Sequence, residues 1–170
     1  MSQATEEFDD LQFDEDDEDT QKDRYFTFQV GKEEYGIDIN CVVEVIGMQK
    51  ITEVPDMPVF VKGVINLRGQ VIPVTDVRLR FHMEPREYDD RTCIVVVKIK
   101  DTAIGLVVDL VSDVLKIPED NVDPPPKMSN KPSSRFIKGM GKVGEEVKIL
   151  LDVQKLLYDD EYEKVASAAE

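Results

Sequence analysis

Apolar positions in the middle of this chain fall mainly in short runs rich in valine and isoleucine, many of them alternating with polar residues. Tyr25–Val30 (YFTFQV), Glu34–Ile39 (EYGIDI), Val64–Leu67, Gln70–Thr75 and Thr92–Lys100 (TCIVVVKIK) read as strands, because successive side chains of an extended chain point to opposite faces. Ala103–Leu110, Val114–Ile117 and Val147–Leu151 extend the series. Val30-Gly31-Lys32-Glu33 and Lys100-Asp101-Thr102 are compact enough to join neighbouring strands as hairpins. Only Asp152–Lys164 carries a helical pattern, with Asp152 as cap and an apolar stripe of Val153, Leu156 and Leu157. Pro55 and Pro58 break residues 54–58 into an extended, turning segment. Pro118–Ser134 (PEDNVDPPPKMSNKPSS) is loop-like. A connection that long serves either as a solvated linker or as a binding or lid segment.

The strands repeat. At an offset of 69, EYGIDINCVVEVI (34–46) lies over AIGLVVDLVSDVL (103–115), with Gly36/Gly105, Val42/Val111 and Val45/Val114 identical. At an offset of 76, VKGVINLRGQVIPVTDV (61–77) lies over IKGMGKVGEEVKILLDV (137–153), matching Lys62/Lys138, Gly63/Gly139, Val71/Val147, Asp76/Asp152 and Val77/Val153. Two matches in the same order predict two similar β units of about 60–70 residues. Units so small bury little area alone and lean on a shared interface. About five strands with tight turns in each suggest small curled sheets or barrels.

Charge is distributed unevenly. The formal net charge is −15, yet residues 1–23 contribute −10 and residues 159–170 contribute −4, which leaves the body near neutral. A neutral body argues against nucleic acid, whose phosphates call for a basic face. The N-terminal acidic run reads as a solvated, disordered tail; Phe8, Leu11 and Phe13 within it leave open a short docking motif. The first 23 residues have no apolar core and begin acidic, unlike a secretory leader, and no apolar run approaches bilayer length. A cytoplasmic location without membrane insertion is expected. Cys41 and Cys93 stand apart among apolar neighbours and read as buried thiols rather than a disulfide.

Candidate chemistry is sparse. His82 is the single histidine, which rules out a His-based metal cluster, and its place in Phe81-His82-Met83 suits a surface position. Neither cysteine has an evident activating neighbour. Gly139-Met140-Gly141-Lys142-Val143-Gly144 is glycine-rich but lacks the helix start that cradles phosphate, and is expected to be a turn. Glu33-Glu34, Asp89-Asp90 and Glu145-Glu146 are likewise expected in turns. No enzyme class is supported, and no cofactor or metal is expected. What stands out is Glu44 inside the apolar stretch Val42-Val43-Glu44-Val45-Ile46, and Arg68 at the turn Asn66-Leu67-Arg68-Gly69. A carboxylate among apolar neighbours favours a partner, and arginine offers a bidentate one. Either the two meet at a partner-facing surface, or they are unrelated solvated charges.

The segments EEYGIDI, VVEVI and ITEVPDMPVFVKGVINLRGQVIPVTDVRLRF (within 33–81), IGLVVDLVSDVL (104–115) and FIKGMGKVGEEVKILLDVQKLL (136–157) closely resemble the CheW family of chemotaxis coupling proteins. The resemblance spans residues 24–158. It implies an all-β fold of two SH3-like five-stranded β-barrel subdomains packed together, with a C-terminal helix and a disordered acidic N-terminal tail outside the resemblance. The subdomains are expected at about 24–88 and 89–158, with an exchange of strands between them left open. The resemblance further implies an adaptor that scaffolds a CheA histidine kinase, through its regulatory domain, to the cytoplasmic hairpin tip of a chemoreceptor. Such a protein is monomeric when free and is recruited to membrane-associated receptor arrays. By the same likeness Val42, Gly63, Val64 and Leu67 match kinase-binding positions. Glu44, Arg68, Gly105 and Val114 match receptor-coupling positions, with Ile39, Val43 and Val108 contributing to an apolar groove. The competing readings are an adaptor of a non-flagellar chemosensory pathway and a generic SH3-like peptide-binding module. The latter would need an aromatic groove, and aromatics are only 7% with no Trp.

Overall fold

The structure, a computed structural model, describes residues 21–125 and 135–158. The N-terminal run through Thr20, residues 126–134 of the proline-rich segment, and the stretch from 159 on, where the helix was expected to reach Lys164, lie outside the described residues. In chain order the first half carries β1 (Arg24–Val30), β2 (Glu33–Asp38), β3 (Val42–Gly47), β4 (Val61–Leu67), β5 (Gln70–Asp76) and a one-turn helix α1 (Val77–Arg80). The second half carries β6 (Cys93–Ile99), β7 (Thr102–Val108), β8 (Leu110–Lys116), the two-residue β9 (Val122–Asp123), β10 (Ile137–Val143), β11 (Glu146–Leu151) and α2 (Val153–Tyr158). Hairpin turns form where the chain accepts positive φ at both central residues, as at Arg68-Gly69 (50° and 87°) and Lys100-Asp101 (52° and 68°).

The strands assemble into two sheets, ordered β8-β1-β2-β11-β10-β9 and β3-β6-β7-β5-β4. Each half of the chain therefore lends its first hairpin to the other: β1–β2 sits among second-half strands, and β6–β7 among first-half strands. The division expected near residue 88 leaves strands from both sides of it in each sheet. Registers agree across the exchange. Leu150 of β11 lies parallel to Gly36 of β2, and Val74 of β5 lies parallel to Gly105 of β7. The bulge between Val61 and Gly63 recurs between Ile137 and Gly139. A backbone bridge from Thr52 to Val64 links the β3–β4 connection to β4, as β9 lies against β10 in the other sheet.

The exchange has a physical basis in burial. β6 and β7 send Val95, Val97, Ile99, Leu106 and Val108 into one core shared with Phe26, Phe28, Val30, Tyr35 and Ile37 of β1–β2. Their alternate residues Ile94, Val96 and Val107 enter the smaller core of their own sheet with Ile65, Ile72 and Val74. A strand buried on both faces reads as a continuous apolar run, which is why CIVVVKI lacks clean alternation. The largest core thus lies between the lent hairpins, where neither unit could build it alone. Gly36 and Gly105 permit this packing: a Cβ on Gly105 would lie 2.7 Å from Ile94 Cγ2, and one on Gly36 3.1 Å from Leu150 Cδ2.

Two equivalent aspartates end the two units. The Asp76 amide donates to the Phe60 carbonyl, and the Asp152 amide to the Phe136 carbonyl, each at 2.8 Å. Asp76 Oδ1 then accepts from the amides of Arg78 and Leu79, and Asp152 Oδ1 from that of Lys155, capping α1 and α2. Arg80 joins the halves. It is fully buried, its guanidinium carbon 4.4 Å from the Phe60 ring centroid and 4.3 Å from that of Phe136, and its Nε donates to the Leu156 carbonyl at 2.7 Å.

Several expectations need correction. Residues 139–143, expected to be a turn, belong to β10; only Gly144-Glu145 turns. Gly139 and Gly141 are there for close packing: added Cβ atoms would lie 2.7 Å from Val122 Cγ1 and 3.0 Å from Ile117 Cδ1. Glu33, Glu34 and Glu146 lie at strand starts rather than in turns. The run expected as one strand to Leu110 breaks at Asp109, which separates β7 from β8. Cys41 and Cys93 are free but only half-buried, because each sits at the margin of the shared core rather than inside it.

Candidate functional site

β3 is a border strand with Val43 and Val45 54% and 39% exposed. Its ladder places Glu44 opposite Val96, so the carboxylate lies on the face of the smaller core. Arg68 reaches it from the β4–β5 tip. The tip is fixed by its positive-φ turn and by the Gly69 amide, which donates to Asn66 Oδ1 at 2.8 Å. Arg68 NH2 donates to Glu44 Oε2 in an ion pair. β3 and β4 are the two ends of the strand order, so this pair connects the sheet's two borders. The Arg68 side chain is 69% exposed, and an ion pair so exposed contributes about 0–1 kcal/mol to stability. Its placement therefore matters more for what approaches the surface than for holding the fold.

The other expected positions divide by exposure. Val114 is 40% exposed on β8, while Ile39, Val42, Val64 and Leu67 are half-buried on first-half elements. Val108 is buried in the shared core, and Gly105 is buried beneath Ile94 and Val74, so neither presents a side chain to a partner. Gly63 is also interior: at φ +149°, an added Cβ would meet the Thr52 carbonyl oxygen at 2.1 Å, at the point where Thr52 and Val64 exchange backbone hydrogen bonds. Any influence of Gly63, Gly105 or Val108 on binding acts through the shape of the barrel wall. Sequence reasoning missed Val45, which is the repeat counterpart of Val114 and similarly exposed; the identical pair was the available signal. It also missed Val71 and Val147, 66% and 48% exposed at equivalent places on β5 and β11, and Val59, 74% exposed after Pro58.

Asp109 fixes the corner between β7 and β8. Its carboxylate accepts from Arg78 Nε (3.0 and 3.1 Å), Arg78 NH2 (2.8 Å) and the Gly31 amide (2.8 Å), and Arg86 lies at 3.2 Å. Desolvation opposes its ionisation, but these hydrogen bonds and the two guanidinium charges outweigh that and hold the carboxyl below its usual range. Inside the six-stranded sheet, where β11 lies between β2 and β10, the buried Lys148 reaches Glu34 at 2.8 Å and Glu146 at 2.7 Å, and hydrogen bonds to both, Glu146 first, raise its ammonium above the ordinary value. Burial raises both thiols, aided at Cys41 by Asp38 and Asp152. Among the described residues no group of three or more His, Cys, Asp or Glu side chains is arranged to hold a metal ion. His82 is exposed. The assembled features are exposed valines, an ion pair across the sheet border and shaped barrel walls, which suit protein recognition.

The family model described as "CheW-like domain" matches residues 24–161. The chain is 37% identical over 145 residues to the chemotaxis protein CheW of Klebsiella aerogenes, covering 85% of this chain and 87% of that protein. It is 32% identical to the chemotaxis protein CheW of Treponema pallidum, covering 83% and 85%. The crystal structure of the scaffolding protein TtCheW from Thermoanaerobacter tengcongensis superposes with a TM-score of 0.74 at 33% identity, covering 81% of this chain and 94% of that one. The exchanged pair of β sheets and the match over nearly the whole described body lead to one conclusion: this chain belongs to the CheW family of chemotaxis adaptor proteins.

Proposed function

We propose that this adaptor binds the regulatory domain of a CheA histidine kinase and the cytoplasmic hairpin of a chemoreceptor, and so passes receptor control to the kinase in membrane-associated arrays. The observation that carries the reading is the exposed Arg68–Glu44 pair joining the sheet's two borders, with Val43 and Val45 exposed on the other face of the same border strand. A helical hairpin docked along that border gains apolar burial from the valines on one face and register from the charged pair on the other. In this reading Glu44, Arg68, Val43 and Val114 touch the receptor, with Ile39 at the edge and Gly105 and Val108 shaping the wall behind. Val64 and Leu67 of β4, with Val42, face the kinase, and Gly63 holds that strand's approach to Thr52. Regulation follows from differential affinity: a receptor state that binds the adaptor–kinase assembly more tightly shifts the kinase equilibrium by that difference.

The test is titration of the protein with a CheA regulatory domain and, separately, with a receptor cytoplasmic fragment. Binding to both is expected. Arg68→Ala should weaken receptor binding about three- to thirtyfold while the unfolding midpoint moves by no more than a few degrees, since the exposed pair adds little to stability. Absence of binding to both partners at about 100 μM, an affinity of roughly −5.5 kcal/mol, refutes the adaptor reading. Unchanged receptor affinity in Arg68→Ala refutes the role of the pair.

A further inference from the structure

The internal repeat makes one half of the molecule a guide to the other, and β8 sits against β1 as β3 sits against β6. A register shift falls between Val42 and Glu44 in one pair and between Phe26 and Phe28 in the other. Val114 therefore lies opposite Phe26 as Val45 lies opposite Val95. Phe26 and Val95 both belong to the shared core, so the two exposed valines stand at its margin, one on each sheet. Each valine directly follows an acid, Glu44 in one case and Asp113 in the other. The hairpin tips correspond as well, since Gly144 of the two-residue β10–β11 turn is the repeat counterpart of Arg68. Here the likeness ends. Glu44 carries the Arg68 guanidinium, whereas the turn that matches Arg68 offers Asp113 no side chain. Among the described residues no cation pairs with Asp113, and Lys142, two residues before Gly144, is engaged by Asp123 at 3.3 Å. The exposed carboxylate is nevertheless held in place. The Asp113 amide and carbonyl each make a 3.0 Å hydrogen bond with the Thr27 hydroxyl, and Oδ1 accepts from the Val114 amide at 2.7 Å. Its second oxygen has no hydrogen bond among the described residues.

We propose that a lysine or arginine of the receptor hairpin takes, at Asp113, the place that Arg68 fills at Glu44. The proposal rests on the adaptor reading and deepens it by naming the chemistry that the partner brings to β8. The first half displays the occupant: the same strand position, bulge and following valine, with a guanidinium seated on the carboxylate. One border thus carries its cation in the same chain, and the other is completed by the partner. A helix lying along β8 can meet both residues at once. Side chains three or four apart on a helix are about 5–6 Å from each other, and neighbouring Cα atoms of a strand about 3.8 Å. An apolar residue of the helix packs on Val114, and a cation one turn away reaches the open oxygen of Asp113. A carboxylate that is already oriented loses little freedom when it is paired.

The full chain is titrated with a receptor cytoplasmic fragment and, as a control, with a CheA regulatory domain, each at low and high salt. Asp113→Asn keeps an oxygen for the Val114 amide but removes the charge. It should weaken receptor binding about three- to tenfold and flatten its salt dependence, with kinase-domain affinity and the unfolding midpoint unchanged. Gly144→Arg tests the correspondence itself. An added Cβ there meets nothing within 4 Å, and Arg68 shows that arginine accepts this turn conformation, with φ 50° against 62° at Gly144. The new guanidinium pairs with Asp113 within the chain, so it should lower receptor affinity in the parent and leave that of Asp113→Asn unchanged. An equal effect in both backgrounds shows that Gly144 is not placed as Arg68 is, and overturns the proposal. Equal receptor affinity of the parent and Asp113→Asn overturns it as well. Failure of the parent itself to bind the receptor fragment is a separate result, which removes the adaptor reading and this inference together.

Discussion

Replacing Asp109 with alanine removes one carboxylate that accepts hydrogen bonds from Arg78 and the Gly31 amide and faces Arg86. Side chains of Arg78 and Asp109 are 17% and 10% exposed, so this pair is far less hydrated than Arg68–Glu44. Breaking a buried pair by removing one partner destabilises by about 3–5 kcal/mol, because the remaining charge is stranded. Arg78 here retains a bond to the Glu84 carbonyl and some access to water, which reduces the expected loss to about 2–3 kcal/mol. For a domain of this size, that lowers the melting temperature by roughly 4–12 °C. Urea denaturation followed by circular dichroism measures it, with Arg78→Ala and the double variant completing a cycle. The double variant should be more stable than the sum of the single losses by about 1–3 kcal/mol. The folded carboxyl titrates below its unfolded value, so its contribution is complete above the unfolded value near 4 and is lost as pH falls through the folded one. The gap between parent and Asp109→Ala should therefore narrow on acidification below about pH 4. A loss under about 0.5 kcal/mol near neutral pH, or an additive cycle, refutes the view that this carboxylate ties the β7–β8 corner to the β1–β2 turn.

Two further outcomes follow from packing. Gly105→Ala should destabilise by about 1–3 kcal/mol and Gly36→Ala by less, since the new methyl meets Ile94 Cγ2 at 2.7 Å in one case and the flexible end of Leu150 at 3.1 Å in the other; equal losses in urea denaturation would falsify the packing argument. Lys148→Met should lower the melting temperature by a few degrees at neutral pH, because it removes the ammonium that Glu34 and Glu146 share, and the loss stays modest because both carboxylates keep access to water. Lys148 is raised in the folded state, so its stabilisation is present below the unfolded value near 10.4 and fades as pH rises through the folded one; an unchanged or higher melting temperature at pH 7 in this variant refutes the reading.

The amino-acid sequence determined much of this protein by local rules. Strand positions followed from β-branched residues of period two, hairpin sites from turn chemistry, and the two units from the Gly36/Gly105 and Asp76/Asp152 matches. Those pairs recur in the structure as matching registers and helix caps because the same local constraint acts at each. The charge of Glu44 among valines raised a pairing with Arg68 as one of two readings, and the tertiary structure decided for it. Tertiary structure alone decided which hairpin joins which sheet, since an antiparallel hairpin is locally satisfied wherever it docks, and the choice depends on burying both faces of β6 and β7 at once. It also made β10 a strand: glycines that look like a turn are, in three dimensions, the residues small enough to pass Val122 and Ile117. Exposure was decided there too. Val43 and Val108 look alike along the chain, yet one faces solvent on a border strand and the other is enclosed in the shared core, because a residue's burial depends on what the rest of the chain packs against it.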